Sequence, residues 1–169
     1  MGGLSKILRV LRVAGWVAML AAAGPAAAGS QLPLARDLAA DAADASGRGA
    51  AILVFYMSDS CPYCERVEEL YLEPMLTRRP YGDRLLIRAV RADRATPLRD
   101  FAGNSTDHGA FARRAGAYVT PLVQLYGPDG TALAEPLLGY TSPDFYAGQL
   151  EGRIEQAIAR VPQRAARAP

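Results

Sequence analysis

The 169-residue sequence has few of the side chains that most often carry chemistry: two cysteines, one histidine, one lysine and one tryptophan. With so few cysteines and histidines, it lacks the second ligand pair that a four-coordinate structural zinc site would need, so we expect no metal. Covalent haem attachment through Cys-x-x-Cys-His is also excluded, because the residue that follows the second cysteine is Glu65.

Excess positive charge is confined to the start of the chain. The net charge of +2 depends on Lys6, Arg9 and Arg12, and the residues after Ala28 comprise 16 basic and 17 acidic side chains. The net charge of that part is therefore close to −1. We accordingly expect no nucleic-acid partner.

The first 28 residues have the pattern of an export signal. A basic segment precedes the 11 apolar residues 13–23, and Ala26-Ala27-Ala28 supplies small residues for cleavage. A membrane span needs about 20 apolar residues, so the apolar stretch is short for one. We predict a signal peptide over residues 1–28 and a periplasmic protein, with an uncleaved N-terminal anchor as the alternative.

Both cysteines lie in the tetrapeptide Cys61-Pro62-Tyr63-Cys64, between an apolar run and a charged helical pattern. Residues three apart on a helix are neighbours, so the two thiols can close a disulfide. Pro62 suits the first helical position, which would place Cys61 near the N-cap, exposed and ionisable, and Cys64 deeper as the resolving thiol. A purely structural bridge is the alternative, but so small a loop constrains the unfolded chain very little. The tetrapeptide thus predicts thiol–disulfide exchange.

The remaining pattern predicts an α/β fold, with a mixed sheet of about four strands flanked by helices. We predict strands over residues 51–57, 84–92, 121–126 and 131–134, the last two forming a hairpin. We predict helices over residues 33–45, 62–74, 106–115 and 142–161. The second of these should kink or end at Pro74, with one further turn possible after it. Residues 93–105 are expected to be irregular. The expected organisation is a signal peptide (1–28), an N-terminal helical extension (29–49), one domain (50–161) and a flexible tail (162–169).

Some individual side chains can be assigned to core or surface. On the last helix we expect Phe145, Leu150, Ile154 and Ile158 to face the core. His108 follows a candidate cap at Asp107 and is interpreted as a surface residue rather than a ligand or base.

The dithiol after the first core strand, together with Val119-Thr120-Pro121 before the third, resembles the thioredoxin superfamily over residues 50–161. The likeness is to exported thioredoxin-like proteins with a Cys-Pro-Tyr-Cys site. It implies a thioredoxin-like fold, a cis peptide bond before Pro121 and a substrate strand held by the backbone of Thr120. We expect Pro62 and Tyr63, which lie between the two cysteines, to tune the site, with Tyr63 controlling access to the sulfur.

The sequence departs from the family where thioredoxins carry a buried acid that assists proton transfer to the second cysteine. That position, six residues before Cys61, is Phe55, and the lysine often found on the next strand has no counterpart. Asp59 and Glu65 are candidates for proton transfer, although both are more simply interpreted as solvated charges at a helix start. The proton route is left open.

The resemblance implies an exported thiol–disulfide oxidoreductase that needs no cofactor beyond the Cys61–Cys64 disulfide. We expect it to reduce protein disulfides with electrons from a membrane partner. Three alternatives stay open: a disulfide oxidant or isomerase, a glutaredoxin-like enzyme that uses glutathione, and a binding protein that uses the fold without turnover.

Overall fold

The computed structural model describes residues 32–165, so the predicted signal peptide and residues 166–169 lie outside the described part. The helices of that part are α1 (Leu38–Arg48), α2 (Pro62–Val67), α3 (Glu73–Arg78), α4 (His108–Arg114) and α5 (Pro143–Ala165). Its strands are β1 (Ala51–Met57), β2 (Leu85–Arg91), β3 (Pro97–Arg99), β4 (Ser105–Asp107), β5 (Leu122–Tyr126) and β6 (Leu137–Leu138). None of these helices combines the length and hydropathy needed to cross a membrane.

The main sheet has four strands in the order β2-β1-β5-β6. β1 is parallel to β2 through the crossover that contains α2 and α3, while β5 is antiparallel to both β1 and β6. Helices cover both faces. The structure therefore confirms the predicted α/β fold with a mixed four-stranded sheet.

Strand β1 lies at the centre of the sheet and is buried along its whole length. Its alternate side chains enter two separate cores, because successive residues of a strand point to opposite faces. Leu53 and Phe55 join the core shared with α2 and α5, while Val54 and Tyr56 join the one shared with α1 and α4. Each such buried side chain stabilises the fold by roughly 1.5–3 kcal/mol.

The first helix begins five residues later than predicted. Residues 33–37 are extended and cover the free edge of β2, where Ala35 N donates to Ala89 O and Ala89 N donates to Pro33 O. Asp37 then caps α1 by accepting a hydrogen bond from Ala40 N. An exposed sheet edge leaves backbone groups unpaired, and satisfying that edge outweighed the helical periodicity of this segment.

Pro74 neither ends nor clearly divides the helix that follows the dithiol. A π-helical segment, Glu68–Leu72, joins α2 to α3, and Glu73 N donates to Glu68 O across the wider turn. Proline lacks an N–H and clashes with the carbonyl four residues earlier, and a π-turn relieves both problems locally. The helical path thus continues to Arg78.

Two short strand pairs differ from the predictions. β3 and β4 form a small antiparallel sheet within and just after the segment expected to be irregular. The partner of β5 is β6 at Leu137–Leu138, and the predicted segment contributes only a single bridge between Tyr126 and Ala132. Both pairings depend on tertiary neighbours, which a short segment does not encode.

The last helix confirms three of the four predicted core positions: Leu150, Ile154 and Ile158 are buried. Phe145 is exposed instead, and its neighbour Tyr146 fills the core. The helix also extends to Ala165, past the predicted end at residue 161. One backbone hydrogen bond lost near a helix end is tolerated, so the proline in its last turn does not stop it.

The prediction that His108 lies at the surface is wrong. The imidazole is fully buried. Its Nδ1 atom accepts a hydrogen bond from Arg91 N at 2.9 Å, and its Nε2 atom lies 2.7 Å from Ala35 O. Nδ1 accepts, so Nε2 carries the proton and donates to the carbonyl. A neutral His108 thereby ties the N-terminal segment to the end of β2, next to the Asp107 cap of α4.

This arrangement predicts that the protein loses stability in mild acid. Burial lowers the pKa of His108 from its ordinary value of about 6.5. The unfolded chain therefore binds the proton more readily, and the associated stability is present above pH 6.5 and lost as the pH falls towards the lower folded pKa. Urea unfolding between pH 7 and pH 5 measures this loss.

His108→Gln is the matched variant, because it removes the titrating ring while keeping an amide N–H. It should be less stable at pH 7 by about 1–3 kcal/mol, the cost of unsatisfied buried partners. Its stability should change less than that of the unsubstituted protein between pH 7 and pH 5. An equal decline in both proteins would assign the acid sensitivity to carboxylates instead.

Candidate functional site

Cys61 and Cys64 form a disulfide at the start of α2, with Cα atoms 5.2 Å apart. Cys61 is the N-cap and Pro62 follows at the first turn, as predicted, and Cys64 N donates to the Cys61 sulfur at 3.1 Å. Cys64 is fully buried. Cys61 is only 8% exposed, so the expectation of an exposed Cys61 is wrong for the oxidised pair. Both sulfurs belong to the apolar core formed with β1 and α5, which covers them.

The segment that precedes β5 is held beside the dithiol. The register of β1 and β5 places Tyr56 opposite Leu122, so the residues that follow β1 meet those that precede β5. Ser58 and Thr120 share a hydroxyl hydrogen bond of 2.9 Å at that point. The Thr120–Pro121 peptide bond is cis, the isomer that the resemblance implies. The structure therefore brings both predicted substrate-binding residues to the same end of the sheet as the disulfide.

Exposed apolar side chains surround this end of the sheet. We call the exposed residues Tyr63, Tyr118, Val119 and Leu138 the apolar rim. Tyr63 stacks on Tyr140 with ring centroids 6.1 Å apart, and Tyr118 is 77% exposed. Leu138 and the residue after it run beside Pro121, whose carbonyl accepts from Gly139 N. Exposed apolar side chains grouped at one end of a sheet mark a candidate interaction surface.

The strands beneath the disulfide supply no acid or base. Phe55 lies on the disulfide side of β1, and its register partner on β2 is Ala89; both are fully buried. Proton transfer to Cys64 therefore has to involve a group outside this strand pair.

The two acids proposed for that transfer occupy different environments. Asp59 is exposed, as expected, and it also forms ion pairs with Arg91 and Arg94. Its backbone N–H also donates to Asp93, which anchors the loop before Cys61. Glu65 is exposed, as expected for a charge at a helix start. The Asp59 charge is thus largely compensated and opposes a Cys61 thiolate less than an isolated carboxylate would.

One buried acid was missed from the sequence. Glu68 is only 4% exposed, and its Oε1 atom has no hydrogen-bond partner in the described part of the chain. Glu68 N donates to Cys64 O, so the residue lies one helical turn beyond Cys64. Its spacing of four residues from Cys64 could have predicted that it faces the same side of the helix. It lies among other charged residues, however, which made an exposed position the simpler interpretation.

Three tyrosines pack beside the rim. Tyr71, Tyr140 and Tyr146 have ring centroids 5.1–6.4 Å apart, and Tyr71 OH donates to Pro143 O. Burial, with smaller effects of Tyr140 and Asp144, raises the pKa of Tyr71 to about 12, and burial also raises that of Tyr146. Neither phenol can act as a base at neutral pH.

No group of three or more His, Cys, Asp or Glu side chains within residues 32–165 is arranged to hold a metal ion. The redox group that the structure does contain is the disulfide itself.

Comparison with known proteins identifies the family. A family model described as a thioredoxin-like domain matches residues 38–153, beginning at the first residue of α1. No curated protein sequence matches the chain.

Solved structures resemble the chain at low sequence identity. A thioredoxin-fold protein from Helicobacter pylori is 14% identical, with a TM-score of 0.52 over 70% of this chain and 81% of that one. Thioredoxin O2 from Arabidopsis thaliana in its oxidised state is also 14% identical, with a TM-score of 0.48 over 75% of this chain and 94% of that one. At such identity the first likeness shows the fold alone, and it agrees with the family match. The chain belongs to the thioredoxin-like domain family and carries that fold with a Cys-x-x-Cys pair closed as a disulfide.

Proposed function

We propose that the chain is an exported thiol–disulfide oxidoreductase that reduces protein disulfides through Cys61 and Cys64. The observation that carries the proposal is the placement of the pair. Cys61 caps a helix N-terminus, and Cys64 lies fully buried one turn later within reach of its sulfur. Exchange requires an attacking thiolate and a second thiol within reach of its sulfur to resolve the mixed disulfide.

The reaction is a two-step exchange. The Cys61 thiolate attacks one sulfur of a substrate disulfide, forming a mixed disulfide and expelling the other substrate sulfur as a thiolate. Cys64, after losing its proton, attacks the Cys61 sulfur, closes the Cys61–Cys64 disulfide and releases the second substrate thiolate. The substrate gains two electrons and two protons, and an external reductant must restore the dithiol.

The helix start favours the thiolate of Cys61 in the reduced state. Unpaired amides and the helix dipole place partial positive charge at this end, and Cys64 N already points at the Cys61 sulfur. The adjacent Asp59 is balanced by Arg91 and Arg94. These groups favour the thiolate form of Cys61, which is the nucleophile of exchange.

A protein substrate fits the surroundings better than glutathione. The rim presents aromatic and aliphatic side chains, with Val119 59% exposed directly before Thr120. An extended apolar segment can lie on this surface while its disulfide meets Cys61. This contrast favours a protein-disulfide enzyme over the glutaredoxin-like alternative.

The proposal includes export to the periplasm and the reduction, rather than the formation, of substrate disulfides. The basic and apolar pattern of residues 1–28 supports a periplasmic location. A reductase in that compartment needs electrons from elsewhere, and we propose a membrane partner as their source. An oxidant or isomerase would share the geometry and differ in redox potential.

The two-step mechanism predicts that Cys64→Ser traps the intermediate. Without the resolving thiol, Cys61 should remain joined to a protein substrate such as insulin as a mixed disulfide. Non-reducing electrophoresis should show the adduct, and a reductant should remove it. Cys61→Ser is the matched control and should give no comparable adduct, because the remaining thiol is buried. Equal adducts from both variants would contradict the assignment of roles.

The apolar rim predicts that Val119→Asp weakens recognition of protein substrates selectively. A charge there must be desolvated against an apolar segment, so KM for insulin reduction should rise by about tenfold, equivalent to about 1.4 kcal/mol. The rate with a small aromatic disulfide should change much less. The control is Ala40→Asp, which adds the same charge at an exposed position of α1 on the opposite face. Equal effects of both variants would exclude the rim as the substrate surface.

A further inference from the structure

We propose that Glu68 accepts the proton of the Cys64 thiol during the second step, directly or through one water molecule. The inference rests on the proposed function and assigns the proton route that Phe55 leaves open. It places the acid on the helix that carries the dithiol rather than on the strand beneath it.

The helix geometry puts the two groups on one face. Cys64 and Glu68 are four residues apart, and Glu68 N donates to Cys64 O, so the helical turn between them is intact. Side chains with this spacing lie one above the other, with Cβ atoms about 5–6 Å apart. Cys64 is fully buried and Glu68 is 4% exposed, so both face the interior.

One oxygen of the Glu68 carboxyl group is available to accept the proton. Glu68 Oε1 is buried without a hydrogen-bond partner in the described residues, and such an oxygen is unfavourable unless something occupies it part of the time. Glu68 also begins the π-helical segment, and π-turns inside helices are frequent at functional sites. A purely structural role would require a partner for this oxygen.

The other ionisable groups around the pair are less suitable. On the same helical path Glu65 and Glu69 are exposed and so is the cation Arg66. From the loop before Cys61, Asp59 is held by two arginines.

The remaining elements packed into this core carry the phenols of Tyr71, Tyr81, Tyr140 and Tyr146. Beside these rings lie the exposed acids Asp144, Glu151 and Glu155 and the cation Arg153. Burial raises the pKa of Tyr71 to about 12 and raises those of Tyr81 and Tyr146. The raised pKa values keep Tyr71, Tyr81 and Tyr146 protonated at neutral pH. Among residues 32–165, Glu68 is the one carboxylic acid that is buried.

The proton balance of the step is simple. In the mixed disulfide, the Cys64 S–H bond breaks and its proton passes to the Glu68 carboxylate. The Cys64 thiolate then forms a bond to the Cys61 sulfur, and the bond from Cys61 to the substrate sulfur breaks. Glu68 then gives up this proton, to the departing substrate thiolate or to solvent, which restores the carboxylate.

A two-phase reaction of the reduced protein with one equivalent of 5,5′-dithiobis(2-nitrobenzoate) separates the two steps. Attack by Cys61 releases the first thionitrobenzoate, and attack by Cys64 releases the second. Glu68→Gln should leave the first phase unchanged and slow the second at pH 7 by about 100-fold, the lower end of general-base effects. The matched control, Glu69→Gln, replaces the exposed neighbour and should leave both rates within about twofold.

The pH profile gives a second test that needs no variant. In the unsubstituted protein the second phase should rise through a carboxyl ionisation as well as a thiol ionisation, and Glu68→Gln should lose the former. A second phase that follows the thiol ionisation alone, or that is unaffected in Glu68→Gln, would overturn the role of Glu68. Absence of any second release from the unsubstituted protein would instead refute the exchange mechanism itself.

Discussion

The complete burial of strand β1 is the constraint on which the rest of the structure depends. Because both its faces are covered, the strand cannot shift register without exposing one of two cores, and its exit point is fixed. The antiparallel partner β5 then has to begin where β1 ends. That register places the segment that contains Pro121 beside the loop that precedes Cys61. A hydrogen bond between the hydroxyl groups of Ser58 and Thr120 joins the two segments.

The ionisable groups of the site come from the helix that carries the dithiol, because β1 and β2 contribute apolar side chains beneath the disulfide. With Phe55 and Ala89 filling the space beneath the disulfide, the strands contribute packing and no ionisable group. The helix contributes the partial charge at its N-terminus, both sulfurs and, one turn further on, a buried carboxyl group. Arg91 of β2 and Arg94 of the loop after it compensate the charge of Asp59, which therefore opposes a Cys61 thiolate less.

Sequence reasoning predicted the features that local pattern determines. The apolar run of β1, the helix start at Pro62 and the turn after β5 are each encoded by a few adjacent residues. His108 was misassigned because its two partners come from distant segments, and nothing nearby shows that they converge. Phe145 and Tyr146 are adjacent aromatics that point about 100° apart on a helix, and it is Tyr146 that continues the spacing of four through Leu150 and Ile154. Glu68 escaped notice for a similar reason, since burial of a charge is a tertiary property.

The equilibrium redox potential of the Cys61–Cys64 pair tests the central claim most directly. Protein equilibrated in dithiothreitol or glutathione buffers of defined ratio, followed by thiol alkylation, gives the fraction oxidised at each potential. A reductase should have a value near that of thioredoxin, about −270 mV. A value near −120 mV would make the pair a strong oxidant and would contradict the proposal that the protein reduces disulfides.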